Sequence, residues 1–249
     1  MIQYNTKHNL KTKTNAHHPA KHDQDQIHSI IDATPLLQVA FNPPNEPETA
    51  VSFPTILPML GAIGTYPPSA KPHIYLHGSS ASRLFQLIDR PLAIAAALLD
   101  GYVLALSPFH NSCNYRSAVA FGRGTLVTDP EELLFALELI TNNSIPQRWE
   151  NSRSVPTKTE MTATGVLKVE IETASVKTRL GGADDDRADL RDAKLVRRTW
   201  TGVVPTYLVL GEPIAGDLNR VGRVPEYLAD WIADANGMAE QRAVDAVEG

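Results

Sequence analysis

Three short segments carry the side chains that could bind or transform a small molecule: residues 77–83, 114–117 and 200–205. In the first segment, Gly78 and several serines lead to Arg83, so backbone N–H groups, hydroxyls and a guanidinium are offered to one point. A phosphate monoester needs donors of this kind. An ordinary serine-rich helix cap is the alternative interpretation.

In the second segment, Asn114 and Arg116 share one face of a predicted strand with Ala118 and Ala120, because alternate side chains of a strand point the same way. The small alanines leave Arg116 room to bend toward a ligand. An arginine that extends from a barrel edge into water is the alternative. Arg116 therefore indicates an anion contact only together with the first segment.

Other candidate sites have weaker support. The histidines of the N-terminal arm lack the fixed spacing and the cysteines typical of structural zinc sites, so we predict no metal site there (His8, His17, His18 and His22). Cys113 lies close to His110 in sequence, but no third group is evident to orient such a nucleophilic pair. The Gly-x-Gly at Gly122 lacks the third glycine and the following helix of a dinucleotide-binding fingerprint.

The motifs in combination resemble a known family. The run Tyr75-Leu76-His77-Gly78-Ser79, then Ser82-Arg83, then Asn114-Tyr115-Arg116-Ser117 with a following Phe121-Gly122, looks like the flavin-nucleotide-binding branch of the pyridoxamine-phosphate-oxidase-like proteins. The 5-nitroimidazole reductases belong to that branch. Further similarity lies at Pro54-Thr55, at residues 174–179 and at residues 200–205, so the resemblance extends from about His22 to about Leu210.

This resemblance implies a six-stranded antiparallel split β-barrel that forms a homodimer, with FMN in a cleft between the subunits. Ser82 and Arg83 would hold the FMN phosphate, and Arg116 and Ser117 would contact the phosphate or the ribityl chain. The implied cofactor-binding set is Thr55, His77, Gly78, Ser79, Ser82, Arg83, Asn114, Tyr115, Arg116, Ser117, Lys177 and Trp200. Thr55 would face the isoalloxazine ring, and Lys177 and Trp200 would line the cleft from one subunit or the other.

The activity implied by the resemblance is that of an FMN-dependent oxidoreductase, which takes electrons from a reduced nicotinamide or a similar donor and passes them to a small organic acceptor. His77 is the candidate catalytic residue, as a proton donor or a hydrogen-bonding group, because imidazole titrates near neutral pH. Its alternative role is to end a strand and brace the turn at Gly78. Two other functions stay open: a non-catalytic flavin- or haem-binding protein on the same barrel, and a pyridoxamine 5'-phosphate oxidase proper.

The elements that must position these residues are mainly strands with peripheral helices. Apolar alternation and turn residues predict strands over Leu36–Phe41, Thr49–Leu60, His73–His77, Leu92–Leu98, Tyr102–Leu106, Tyr115–Val127, Val166–Ile171 and Val203–Leu210. Asp100-Gly101 predicts a hairpin between two of them. Helices are predicted from Gln26 to before Pro35, from the serines to about Ile88, from Pro130 to about Thr141, after a capping start at residues 157–160, and over Pro225–Ala233. The charged stretch 181–198 is predicted to be a solvated loop.

The composition bounds the class of protein. Of 249 residues, 43% are hydrophobic and 20% charged, as in an ordinary globular protein, and the net charge of -5 gives no footprint for nucleic acid. We predict a polar arm at 1–25, a split-barrel domain at 26–215 and a helical extension at 216–249. With a single cysteine, no signal-like start and no long apolar run, the expected location is the cytoplasm, with no membrane partner.

Overall fold

The computed structural model describes residues 23–42, 53–67, 69, 71–86, 89–153 and 155–248. Within them lie eight strands: β1 (Leu37–Phe41), β2 (Thr55–Met59), β3 (Gly61–Gly64), β4 (His73–Ser79), β5 (Pro91–Leu104), β6 (Ser112–Leu126), β7 (Thr164–Arg179) and β8 (Gly202–Pro205). The α-helices are α1 (Gln24–Ala33), α2 (Pro130–Ser144), α3 (Lys158–Ala163), α4 (Arg187–Arg191), α5 (Ala193–Arg198) and α6 (Glu226–Glu248). None of these described helices is long and apolar enough to cross a membrane.

The strands form one sheet in the order β2-β1-β5-β6-β7-β4-β3, with β8 added beside β5. Pairing is antiparallel between β1 and β2, β1 and β5, β3 and β4, β4 and β7, and β5 and β8. The architecture is therefore a mainly antiparallel sheet with helices, as predicted. The described residues contain eight strands, whereas the family resemblance implied six.

The chain divides into two compact units, and residues of β5, β6 and β7 belong to both. The first comprises Met1–Ala97 and Ser117–Lys177, and the second comprises Leu98–Arg116 and Thr178–Gly249. In the first unit, Asp23 caps α1, and the helix ends at Ala33, before Pro35, as its sequence predicts. Its Ile27, Ile30 and Ile31 are fully or almost fully buried in a core of aliphatic strand residues.

A second core of the same unit lies under α2. Asp129 caps this helix and Pro130 occupies its first turn, which confirms the predicted start. The fully buried Tyr75 of β4 packs edge-on against Phe135 of α2, with ring centroids 5.7 Å apart. Its hydroxyl donates to Glu132 Oε1 at 2.8 Å, and the Lys168 ammonium donates to the same oxygen at 2.8 Å. The buried carboxylate of Glu132 is thereby paired and hydrogen-bonded, as burial requires.

In the second unit, β8 pairs with the carboxyl end of β5, with Gly101 opposite Pro205 and Leu104 opposite Gly202. The long helix α6 is anchored through its carbonyl at Ala246, which accepts from the Asn114 side-chain amide at 2.9 Å. Ala243 and Ala246 are the buried residues of this helix. The predicted helix Pro225–Ala233 is present but extends to Glu248.

The predicted hairpin at Asp100-Gly101 is wrong, because β5 runs through both residues without a turn. The Asp100 side chain pairs with Arg116, and its carbonyl accepts from the Thr206 amide at 3.1 Å. A Cβ at Gly101 would approach Val203 and a Val204 carbonyl to 3.0 Å, so the glycine allows β8 to pack closely. The dipeptide therefore serves tertiary contacts and not a local turn.

Several other predicted boundaries require correction. The solvated loop predicted over 181–198 contains α4 and α5, which Asp186 and Asp192 cap. The strand predicted over Val203–Leu210 ends at Pro205. β3 was missed because its two glycines, Gly61 and Gly64, are residues that strands usually avoid. Most of the arm predicted over 1–25 and the start of the strand predicted from Thr49 lie outside the described residues, and α1 begins at Gln24.

Candidate functional site

The carboxyl end of β4 presents His77, Gly78 and Ser79 beside β7, opposite Val166, Gly165 and Thr164 respectively. The His77 side chain is half-buried, and burial lowers the pKa of its imidazole below the usual 6.5. The ring is therefore neutral at pH 7. A neutral imidazole has one nitrogen that donates a hydrogen bond and one that accepts, so His77 can orient a ligand or exchange a proton with it.

Gly78 has a packing role that its motif does not reveal. A Cβ at Gly78 would lie 3.0 Å from the Phe85 ring, and one at its partner Gly165 would lie 2.6 Å from the same ring. The paired glycines thus form a flat floor on which the buried Phe85 rests. Through Phe85, this packing fixes the turn that follows β4.

That turn carries the serines and Arg83. The Ser82 amide donates to the Ser79 carbonyl at 2.9 Å, and the Ser80 amide and hydroxyl donate to the Ala163 and Thr162 carbonyls, each at 2.9 Å. The first bond closes the turn, and the two bonds from Ser80 tie it to the end of α3. The α-helix predicted to start here is a short 3₁₀ helix over Arg83–Gln86, and residues 87–88 lie outside the described part of the chain.

The two candidate arginines differ in their surroundings. Arg83 is exposed, and it makes no hydrogen bond or ion pair with any residue that the structure describes. Arg116, in contrast, donates from Nε and Nη2 to both carboxylate oxygens of Asp100, at 2.9 and 2.7 Å. Only 5% of the Asp100 side chain is exposed, so the guanidinium neutralises an otherwise buried charge. Arg83 is thus available to an external anion, whereas Nε and Nη2 of Arg116 are both bound to Asp100.

Asn114 is fully buried, and its amide is engaged within the second unit. Its Nδ2 donates to the Gly181 carbonyl at 3.0 Å as well as to Ala246, and its Oδ1 accepts from Arg179. Both Nδ2 hydrogens and the oxygen are therefore in use. This side chain holds the β7 end and α6 in place.

Four further predicted residues lie on strands, three in the first unit and one in the second. Ser117 on β6 donates its hydroxyl to the Lys177 carbonyl on β7 at 3.2 Å, while the Lys177 side chain is exposed. Thr55 begins β2, half-buried, opposite Phe41. Tyr115 is half-buried and belongs to the second unit.

Trp200 lies in the second unit, just before β8, with 66% of its surface exposed. Gly202 has a φ of 154°, and a Cβ there would lie 2.7 Å from the Trp200 ring. The absence of a side chain at Gly202 therefore lets the indole approach the backbone closely. An exposed ring supported in this way is suited to stacking on a planar ligand.

The structure therefore places the predicted residues in two groups. Thr55, the 77–83 segment, Ser117 and Lys177 belong to the first unit, and Asn114, Tyr115, Arg116 and Trp200 belong to the second. Sequence reasoning missed Asp100 as the partner of Arg116. An aspartate within the apolar run from Leu92 to Leu106 was the available signal, because a buried carboxylate needs a cationic partner.

Comparisons of the sequence and of the structure with known proteins indicate the family of this chain. The sequence profile of the pyridoxamine 5'-phosphate oxidase family matches residues 23–178. The flavocytochrome Anf3 from Azotobacter vinelandii is 30% identical, with a TM-score of 0.67 over 85% of this chain and 91% of that chain. An FAD- and haem-binding protein from Mycobacterium smegmatis is 27% identical, with a TM-score of 0.69 over 85% of this chain and 96% of that chain. A search of curated proteins gave no match. The chain belongs to the pyridoxamine 5'-phosphate oxidase family.

Proposed function

We propose that this chain binds a flavin nucleotide and serves as a flavin-dependent redox protein. The observation that carries the proposal is the position of Arg83: an exposed arginine, uncommitted to any described residue, at the end of a serine turn that is fixed by hydrogen bonds. Such a turn presents hydroxyls and a guanidinium with little loss of freedom on binding. Hydroxyls and guanidinium groups are strong hydrogen-bond donors to the oxygens of a phosphate.

The phosphate contact is assigned to Ser79, Ser82 and Arg83 in preference to Arg116. A phosphate held by Arg116 would compete with the Asp100 carboxylate, which occupies two of its nitrogens. We propose that Arg116 has a structural role, holding the end of β5 to the start of β6, and that Asn114 holds the end of β7 and α6 without contacting the cofactor. Gly78 contributes through the packing of Phe85.

His77 is the proposed acid–base or orienting group. A bound flavin would supply the hydride or electron transfer itself, and the protein would supply binding and electrostatics. Because burial keeps the imidazole of His77 neutral at pH 7, the side chain can donate a hydrogen bond to a ring atom or accept one. The neutral ring would contribute no net charge to the site until it accepts a proton, when it would become a cation.

FMN and FAD share the flavin ring, and the similar structures include an FAD-binding protein. The proposed cofactor is therefore a flavin nucleotide, either FMN or FAD. The Mycobacterium smegmatis relative is described as binding FAD and haem, and the Azotobacter vinelandii relative as a flavocytochrome. Both are at least 27% identical over 85% of this chain. A flavin together with a haem is therefore the second candidate function. We further propose a homodimer in which Lys177 and Trp200 line the cofactor cleft.

The deciding experiment identifies the cofactor and tests Arg83. The purified protein should show flavin absorbance, and mass spectrometry of the released cofactor separates FMN from FAD. Arg83→Ala should raise the dissociation constant for that flavin roughly 10- to 150-fold, since a charge-assisted contact is worth about 1.5–3 kcal/mol. Arg90→Ala, which removes another exposed arginine of the same unit, is the matched control and should bind as the wild type does.

Wild-type flavin affinity in Arg83→Ala would refute the phosphate assignment, and a protein that binds no flavin at all would refute the function. Bleaching of the flavin bands by reduced nicotinamide would support redox turnover. A Soret band would support the flavin-and-haem candidate. Formation of pyridoxal 5'-phosphate from pyridoxamine 5'-phosphate would instead indicate an oxidase of the kind for which the family is named.

A further inference from the structure

Phe85 anchors the turn that carries the candidate phosphate ligands, although it belongs to none of the sequence motifs. We call residues 79–83 the serine turn. Phe85 is only 5% exposed, and Leu84 before it is fully buried. These two side chains follow directly after Arg83, whose own side chain is exposed. The free guanidinium therefore extends from a backbone whose next two residues are fixed in the core.

The ring of Phe85 lies over two glycines that face each other on neighbouring strands. Gly78 of β4 is the register partner of Gly165 of β7. A Cβ would approach the ring to 3.0 Å at Gly78 and to 2.6 Å at Gly165. The ring thus occupies the space that side chains at these two positions would otherwise fill. Any larger residue at Gly165 would have to displace it.

Two backbone hydrogen bonds connect the ring to the serine turn. The Phe85 amide donates to the Ser82 carbonyl at 3.0 Å, and the Ser82 amide donates to the Ser79 carbonyl at 2.9 Å. Ser82 is therefore bonded on both sides, and Arg83 is its neighbour in the chain. A change in the position of the Phe85 ring would move both of these candidate phosphate ligands.

Helix α3 holds the same turn from the side. The helix ends at Ala163, and β7 begins at Thr164, which is the register partner of Ser79. The last carbonyls of a helix have no partner within it. Here the Thr162 carbonyl accepts from the Ser80 hydroxyl and the Ala163 carbonyl from the Ser80 amide, each at 2.9 Å. The serine turn is thus attached at two independent points, Phe85 and Ser80.

We propose that Phe85 is a positioning residue for the flavin phosphate, with Ser80 as the second attachment of the turn. Its packing on Gly78 and Gly165 would set how strongly the protein prefers a phosphorylated flavin to riboflavin. This inference rests on the flavin binding proposed above, to which it adds a residue and a selectivity. A turn that is already ordered loses little conformational entropy when it binds a phosphate, whereas a loosened turn must be ordered by the ligand.

The test compares two ligands that differ only in the phosphate group, FMN and riboflavin, on protein freed of its cofactor. The wild type should bind FMN at least about 30-fold more tightly than riboflavin. Phe85→Leu should reduce this preference about 10-fold by weakening FMN binding alone. Riboflavin affinity should stay unchanged, because riboflavin makes no contact that requires an ordered serine turn.

The matched control is Phe135→Leu, the same substitution on α2, where the ring packs against Tyr75 with centroids 5.7 Å apart. It should lower the urea midpoint without changing the preference for FMN. Gly165→Ala should reduce the preference by about as much as Phe85→Leu, because its Cβ displaces the same ring. Ser80→Ala, at an exposed residue, should reduce it about 3-fold, since one hydrogen bond to α3 is lost.

A second measurement needs no flavin. Amide hydrogen exchange by NMR reports how often the Ser80 and Ser82 amides leave their carbonyl partners. In Phe85→Leu without cofactor, both amides should exchange at least about 10-fold faster than in the wild type. In Phe135→Leu they should exchange at the wild-type rate, which separates loosening of the turn from general destabilisation.

The outcomes distinguish this inference from the flavin proposal. A wild type that binds FMN no more tightly than riboflavin would refute the phosphate assignment and, with it, the selectivity. A wild type with the expected preference that Phe85→Leu and Gly165→Ala both retain would overturn the role of Phe85 alone. Unchanged exchange of Ser80 and Ser82 in Phe85→Leu would do the same. Should that variant not fold, Ser80→Ala decides by the same two measurements, because it loosens the turn from the surface.

Discussion

The ion pair between Arg116 and Asp100 leads to a quantitative prediction. Replacing Arg116 by methionine keeps the apolar stem but removes the two hydrogen bonds, of 2.7 and 2.9 Å, that Asp100 accepts. The Asp100 side chain is only 5% exposed, so an uncompensated charge would remain in the protein. Breaking a fully buried pair costs about 3–5 kcal/mol. Because the Arg116 side chain is 26% exposed, water can partly replace it, and we expect a loss of about 2–4 kcal/mol.

The assay is urea unfolding of Arg116→Met with flavin absent and again with flavin at saturation. The expected result is a lower midpoint with an unchanged dependence on denaturant, in both conditions. Arg123→Met is the matched control on the same strand. Its pair with Glu172 has side chains exposed by 48% and 49%, so removing it should cost no more than about 1 kcal/mol.

A double-mutant cycle with Asp100→Asn completes the test. Because the neutral amide no longer needs a cation, Arg116→Met should destabilise the Asp100→Asn protein much less than the wild type. Two results would refute the reasoning. One is wild-type stability of Arg116→Met together with loss of flavin, which would mean that the guanidinium serves the ligand and not Asp100. The other is strict additivity of the two substitutions.

Three further predictions concern the first unit. Gly122→Ala should destabilise the protein by at least about 2 kcal/mol in urea unfolding, because the added Cβ would lie 2.0 Å from the Glu170 carbonyl oxygen. Unchanged stability would contradict this close approach of the two strands. His73 is buried, and burial followed by the charge of Lys168 lowers the pKa of its imidazole below 6.5, so the unfolded chain binds its proton more readily. The free energy of unfolding should therefore fall as pH drops below about 6.5, and His73→Phe should flatten this dependence; an equal slope in both proteins would exclude His73 as its source. The hydrogen bond from Arg153 is the main reason that the pKa of Glu160 is lowered to about 2. Arg153→Ala should therefore raise that pKa toward 4.5, as measured by NMR titration of the carboxylate. An unchanged pKa would show that Arg153 is not its cause.

The family and the residues of the candidate site followed from short motifs, because each motif has a local requirement. The serines and Arg83 form a turn at the end of β4, and His77 lies in that strand two residues before its end, although the sequence predicts the strand to end at His77. What the motifs could not reveal is which donors are free. Arg83 and Arg116 are equivalent as residue types, and only the fold shows that Asp100 binds one of them.

The sequence by itself determined the elements whose signals are local. Asp129 and Pro130 define the start of α2, the capping box of Thr157 and Glu160 starts α3, and Pro35 limits α1, because a cap or a proline acts within one helical turn. Tertiary structure decided the features that depend on residues distant in the chain. Asp100-Gly101 has the composition of a turn, yet Arg116 and the close packing of β8 keep it within a strand. Local preference amounts to about 1 kcal/mol per residue, whereas leaving a buried carboxylate without its partner costs about 3–5 kcal/mol, so the distant contact prevails.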